Sequence, residues 1–280
     1  MKSYSRQLLT IIIVILAAIA VLNWFVNPYD IFRTPEIEGI NAYKGEVGRH
    51  TRLSKAYKLA RVKPDTILLA SSRGLDIPVE YFTDEGDTGF NLSLASASSY
   101  ELLRMLQHAQ AVAPLKKVVL ALDEAFTLST QANFSEDRLL VDLDGAKSSG
   151  LFAGRIKDMF FSLLSLDALR SSLRTIRKQE EDPELMDYQK YKAGRVLRAG
   201  AHRQMFRTLE SSMLSAFDGG DARCQPTATE TGAIDVENKE YFKKIVELAY
   251  SNDIELVIYF SPVHARFYET KCMLGQWAAI

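Results

Sequence analysis

Residues 7–29 carry no charged side chain, and the run from Leu8 to Val26 (LLTIIIVILAAIAVLNWFV) is almost wholly apolar. At about 1.5 Å of rise per residue, a helix over that run reaches roughly 30 Å, the thickness of a hydrocarbon core. A core helix of a soluble domain seldom lacks a polar face over such a length. Lys2 and Arg6 precede the run, and the positive-inside bias keeps that short end in the cytoplasm. Trp24, Phe25 and Tyr29 fall where an outer aromatic belt belongs. A cleaved signal peptide is the rival reading, with Ala18-Ile19-Ala20 as its A-x-A site. Its apolar region is normally shorter, about 7–15 residues. The sequence therefore predicts an uncleaved signal anchor over 1–29 and an extracytoplasmic domain over 30–280.

That remainder, about 250 residues, suffices for one sizeable α/β domain or a domain with an insert. A net charge of −1 supplies no basic field for nucleic acid. The four histidines (His50, His108, His202, His264) and two cysteines (Cys224, Cys272) show no metal-ligand spacing, so neither a metal nor a cofactor is expected. Outside the cytoplasm the two cysteines are free to form one disulfide, which the sequence alone does not decide.

Four short apolar runs read as strands: Thr66–Ala70, Gly89–Leu94, Lys117–Leu122 and Ile254–Phe260. Three of them, all but Gly89–Leu94, are brief and continuously apolar, as in a strand buried on both faces. Helical patterns fall over Thr51–Val62, Tyr100–Val112 and Asn238–Tyr250. This alternation predicts a parallel sheet covered on both faces. Between the third and fourth strands, about 129–233 reads as a mostly helical insertion, a lid or a partner-facing element. Within it Phe152–Arg177 forms two helices broken near Ser165, and Ala201–Phe217 a further one.

In open parallel sheets, ligands bind beyond the carboxyl ends of the strands. The residues there are Ser71, Ser72 and Arg73; Asn91 with Ser93, Ser96 and Ser98; Asp123 with Glu124; and Ser261 with His264. Serine, aspartate and histidine on separate strand ends are the ingredients of acyl transfer. The hydroxyl attacks an ester carbonyl, the imidazole takes its proton, and the carboxylate fixes the imidazole's tautomer. Each residue also has a plainer role open to it. Ser72 and Asp123 would serve as helix caps, His264 as a hydrogen-bonded turn residue, and Arg73 as a salt-bridge partner rather than an anion site.

At these residues the chain resembles a family. DTILLASSRGLDIP is similar to the first block of SGNH/GDSL-like hydrolases, in the membrane-anchored bacterial subgroup that carries a GSSR motif. That subgroup is similar in plan to the alginate O-acetylation proteins and the D-alanyl transfer protein of teichoic acid synthesis. FNLSLASASSYELLRMLQHA resembles the second block, KKVVLALDEAF the third, and YFSPVHARFYE a late strand-and-loop block; the likeness covers roughly 27–130 and 235–270. The resemblance implies a three-layer, flavodoxin-like (SGNH-like) α/β domain on one transmembrane helix in a bacterial inner membrane, facing the periplasm. It implies a serine esterase or O-acyltransferase acting on cell-envelope glycan or small esters. Its partners would be the lipid bilayer, a cell-envelope polysaccharide or a membrane-bound acyl-transfer protein.

By position, Ser72 takes the nucleophile's place, with His264 as base and Asp123 as its orienter. Arg73, Ser96 and Asn91 are the oxyanion- or substrate-binding candidates. Several positions depart from the family pattern. Ala70 replaces the glycine before the serines, Ser96 stands at the second-block glycine, and the third block lacks its asparagine. Ser261 occupies the aspartate position of the late D-x-x-H block. Truncation before a true final block is therefore also expected, and the competing function is a non-catalytic binding or assembly protein of the cell envelope. The topology is testable: alkaline phosphatase fused after Val62 should be active, and an inactive fusion with a fluorescent green-protein counterpart would reverse the orientation.

Overall fold

The computed structural model describes residues 2–75, 77–122, 135–179 and 236–261. Helix α1 spans Lys2–Val26, and within it Tyr4–Val26 is long and apolar enough to cross a membrane. Its leucines, isoleucines and valines from Leu8 to Leu16 are exposed. The helix is buried only near its C-terminal end, at Asn23 and Val26.

Helix α2 (Thr51–Val62) is closed by Lys63 in the left-handed conformation (φ 50). Strand β1 (Thr66–Leu69) begins after only a few more residues, so α2 must run back antiparallel to it. All four residues of β1 are buried. Strands β2 (Gly89–Asn91), β3 (Lys117–Leu122) and β4 (Glu255–Phe260) complete a sheet of order β2-β1-β3-β4. Every pair is parallel, with Leu68 opposite Asn91 and Val119, and Val119 opposite Val257. Pairing continues past β2, because Leu92 and Leu94 donate to Leu68 and Ala70 at 2.8 and 3.0 Å. This explains why the apolar run extends to Leu94 although the regular strand stops at Asn91.

Helix α3 (Ser99–Val112) starts at a capping box in which the Ser98 hydroxyl and the Glu101 carboxylate exchange bonds with each other's backbone. Together with α2 and α6 (Val236–Ser251) it covers one face of the sheet. Ile67, Leu69, Phe90, Val118 and Leu120 pack there against Leu59, Leu102, Leu106 and Ile245. On the opposite face Leu68 and Val119 meet Phe82, with Ile77, Val79 and Tyr259 at the edge. Among the described residues this second face is covered by the 77–82 segment, with its 3-10 turn over Val79–Tyr81, and by no α-helix.

One expectation needs correcting. The run Ile254–Phe260 reads as a strand buried on both faces, but β4 pairs only with β3 among the described residues. Val257 is 37% and Ile258 41% exposed. An apolar run does not reveal whether a strand is central or at an edge.

Helices α4 (Leu151–Leu164) and α5 (Leu166–Arg177) meet at Ser165, whose hydroxyl accepts from the Ala168 amide at 2.9 Å. They pack against the end of α1. Asn23 donates to the Leu163 carbonyl and accepts from the Ser172 hydroxyl, both at 2.8 Å. The Tyr29 ring stacks on Phe161 with centroids 5.6 Å apart, and its hydroxyl donates to Asp167. The described part of the insertion is thus joined to the end of α1. Val119→Asp should test the core: an unpaired charge beside Leu68 should cost several kcal/mol, on the order of a domain's whole margin. A denaturant midpoint like that of the wild type would show that β3 is not core.

Candidate active site at the carboxyl edge of the sheet

The strand order reverses between β1 and β3: β1 leads outward to β2, and β3 outward to β4. A crevice opens at such a switch point, beyond the carboxyl ends of the two strands. β1 delivers Ala70 and Ser71, both buried, and then a single 3-10 turn over Ser72–Gly74. Ser72 is exposed at the head of that turn and Arg73 is half-exposed.

The turn is held tightly from behind. A Cβ on Gly74 would lie 2.4 Å from the Ala70 Cβ and 2.5 Å from the Ser93 Oγ, so only glycine lets the chain fold back this closely. Asn91 donates from Nδ2 to the carbonyls of Gly74 (2.7 Å) and Ile77 (3.0 Å), while its Oδ1 accepts from the Ser93 amide at 2.9 Å. Asn91 is 1% exposed, and these bonds make it a clamp on the Ser72 turn rather than a group facing the crevice. Ser96 is exposed in the left-handed region (φ 51), which favours glycine.

Lys55 supports the same edge from beneath. Its Nζ donates to the Ser93 carbonyl at 2.7 Å, and burial pulls its pKa down to about 7. The sequence does not single out Lys55, because TRLSKAYKLARV reads as a basic solvated helix. A signal was present nonetheless: Thr51, Lys55 and Leu59 recur at helical spacing along the face that α2 buries.

On the same edge, where α2 begins, a groove of about 500 Å³ is lined by Arg49, His50, Arg52, Arg138, Lys157 and Asp158. Arg52 forks onto Glu101 at 2.7 and 3.0 Å and Arg138 pairs with Asp158 at 2.9 Å. Arg49 and Lys157 have no ion pair among the described residues, so the groove is electropositive.

The two described imidazoles are engaged elsewhere. His108 accepts from the Leu140 amide at Nδ1 and contacts the Ala56 carbonyl at 3.0 Å, and burial lowers its pKa. His50 lies against the Tyr29 ring and 3.4 Å from Asp167, with its pKa also lowered by burial. Asp123, His264, Cys224 and Cys272 lie outside the described residues. The described chain reaches Leu122 at the end of β3 and Ser261 after β4, where the buried Ser261 Oγ has no hydrogen-bond partner among the described residues. No group of histidine, cysteine and acidic residues among the described residues is arranged to hold a metal. Compared with known proteins, the chain matches no protein-family model and no curated protein.

The buried Lys55 generates a pH-dependent prediction. Its folded pKa lies below the ordinary lysine value of 10.5. Between about pH 7 and 10 the unfolded chain therefore binds a proton that the folded chain does not, and stability rises with pH. Lys55→Met should flatten that rise between pH 7 and 9, leaving the part due to Lys44, whose pKa burial lowers to about 8, and raise stability at pH 7 by on the order of a few kcal/mol. Equal slopes in the two proteins, measured by urea unfolding, would show that Lys55 is not buried as described.

Proposed function

We propose that the chain is an SGNH-like serine esterase or O-acyltransferase, held by α1 in a bacterial inner membrane with its flavodoxin-like domain in the periplasm. The observation that carries this reading is the exposed Ser72 hydroxyl on a clamped turn at the sheet's switch point. A nucleophile needs just such placement, since its attack angle is set by backbone that must not yield. Ser72 Oγ attacks the ester carbonyl while its proton passes to His264, whose tautomer Asp123 holds. The tetrahedral oxyanion would be met by amides of the 72–74 turn and by the Ser96 region. Its collapse expels the alcohol, which takes the proton from His264, and leaves an acyl group on Ser72. Water or a glycan hydroxyl then accepts that acyl group. The electropositive groove suits an anionic envelope polymer as the acyl acceptor.

A second reading is favoured by one observation. Ser261 occupies the position of the family's late aspartate, and its buried hydroxyl has no partner among the described residues. Without a carboxylate there, His264 lacks its usual support, and the chain would be a membrane-tethered binding or assembly protein. A fluorophosphonate serine probe separates the two. It should label the wild type and not Ser72→Ala; equal labelling of both, or of neither, would contradict the catalytic reading.

A further inference from the structure

The amphipathicity of α4 is inverted. The face it turns to the domain carries Gly154, Asp158 and Ser162, all buried. Gly154 lies against the Asp137 backbone, where a Cβ would approach within 2.4 Å, and Asp158 is bound by Arg138 and by the Tyr57 hydroxyl at 3.0 Å. The opposite face carries Phe152 (76% exposed), Ile156 (37%), Met159 (46%) and Phe160 (61%). A helix in water does the reverse, burying its large apolar side chains and solvating its polar ones. Helices whose surroundings are lipid pack through small and polar residues and turn apolar ones outward.

The neighbouring elements agree. Helix α5 buries Ala168, Ser171, Ser172 and Thr175 and exposes Leu166 at 70%. The outward face of α4 adjoins the end of α1 through Asn23 and Leu163, so it is continuous with the exposed apolar surface of that helix. Beside it, Asn41 donates to the Phe25 carbonyl at 2.8 Å and pins the 35–42 loop to the end of α1, where Ile37 and Ile40 are exposed. Arg155 and Lys157, both exposed, flank the apolar face of α4 on either side, as cations do where they reach lipid headgroups.

We propose that α4 lies in the membrane–water interface beside α1, with Phe152, Ile156, Met159 and Phe160 in the acyl region of the outer leaflet and Arg155 and Lys157 at phosphate level. The inference rests on the membrane reading of α1. Fourteen residues reach only about 21 Å, too short to span a hydrocarbon core, so α4 lies along the surface. This second attachment turns the basic groove, which Lys157 also lines, toward the headgroup layer.

The test uses the full chain in phospholipid nanodiscs, with Cys224→Ser and Cys272→Ser as background. Nitroxide labels are placed at Phe152→Cys, Ile156→Cys and Phe160→Cys, at Ile13→Cys in α1, and at Lys239→Cys on the exposed side of α6. Collision rates with oxygen and with a water-soluble nickel chelate are measured at each. The three α4 positions should show an oxygen-to-nickel ratio several-fold above that at 239 and below that at 13. Ratios on α4 equal to that at 239, with position 13 deep in lipid, would overturn the proposal and leave the anchor intact. An aqueous ratio at 13 would overturn both. An aqueous α4 with label–label broadening would assign the face to a second copy of the chain and likewise overturn the proposal.

Discussion

Everything at the candidate site depends on the pairing of β1 with strands on both sides. β1 has only four residues, all buried, and hydrogen bonds to β2 and β3 hold it at the centre of the sheet. Because β2 and β3 depart in opposite directions from it, the end of β1 opens on the switch-point crevice. Because α2 doubles back along it, the beginning of α2 arrives at the same edge. Asn91 and Gly74 then act on the turn carrying Ser72, each through a close approach that leaves it little freedom, while Lys55 holds the neighbouring segment through the Ser93 carbonyl.

The second organising contact is polar and sits where an apolar one would be expected. Asn23, in the last turns of α1, is fully buried and bonded to both α4 and α5. Tyr29 and His50 extend that junction through Asp167 and Phe161, and Glu46 adds bonds to Arg174 and Ser171 at 2.8 and 3.2 Å. Such bonds fix orientation more than they add stability, since each replaces a bond to water in the unfolded chain. The consequence is directional: α1 does not hang from a flexible tether but enters a junction shared with α2, α4 and α5. A site at the carboxyl edge of the sheet is thereby held in fixed relation to the end of α1.

Much of this was legible in the residues. The uncharged run from Leu8 to Val26 marks α1, the apolar run KVVLAL marks β3, and the break at Ser165 marks the joint between α4 and α5. These signals are local, because they depend on periodicity, charge and capping. What escaped depends on contacts between distant segments. Asn91 resembles any polar residue at a strand end until its amide is seen to bridge Gly74 and Ile77. Lys55 hides in a basic stretch, and β4 hides its edge position because apolar content does not count neighbours. The α4 pattern was visible as a helix, but which of its faces turns inward is decided only by Asp158 meeting Arg138 and Tyr57. The residues proposed as acid–base partners of Ser72, Asp123 and His264, lie outside the described residues.

The central claim is that Ser72 is a nucleophile presented at the switch point of the sheet. The most direct measurement is tandem mass spectrometry of the full chain after brief incubation with p-nitrophenyl acetate and acid quenching. Attack by the Ser72 hydroxyl would displace p-nitrophenolate and leave an acetyl ester on that side chain. The account predicts an acetyl group confined to Ser72 and absent when the protein is denatured beforehand. Acetylation scattered over surface lysines with Ser72 unmodified would contradict it.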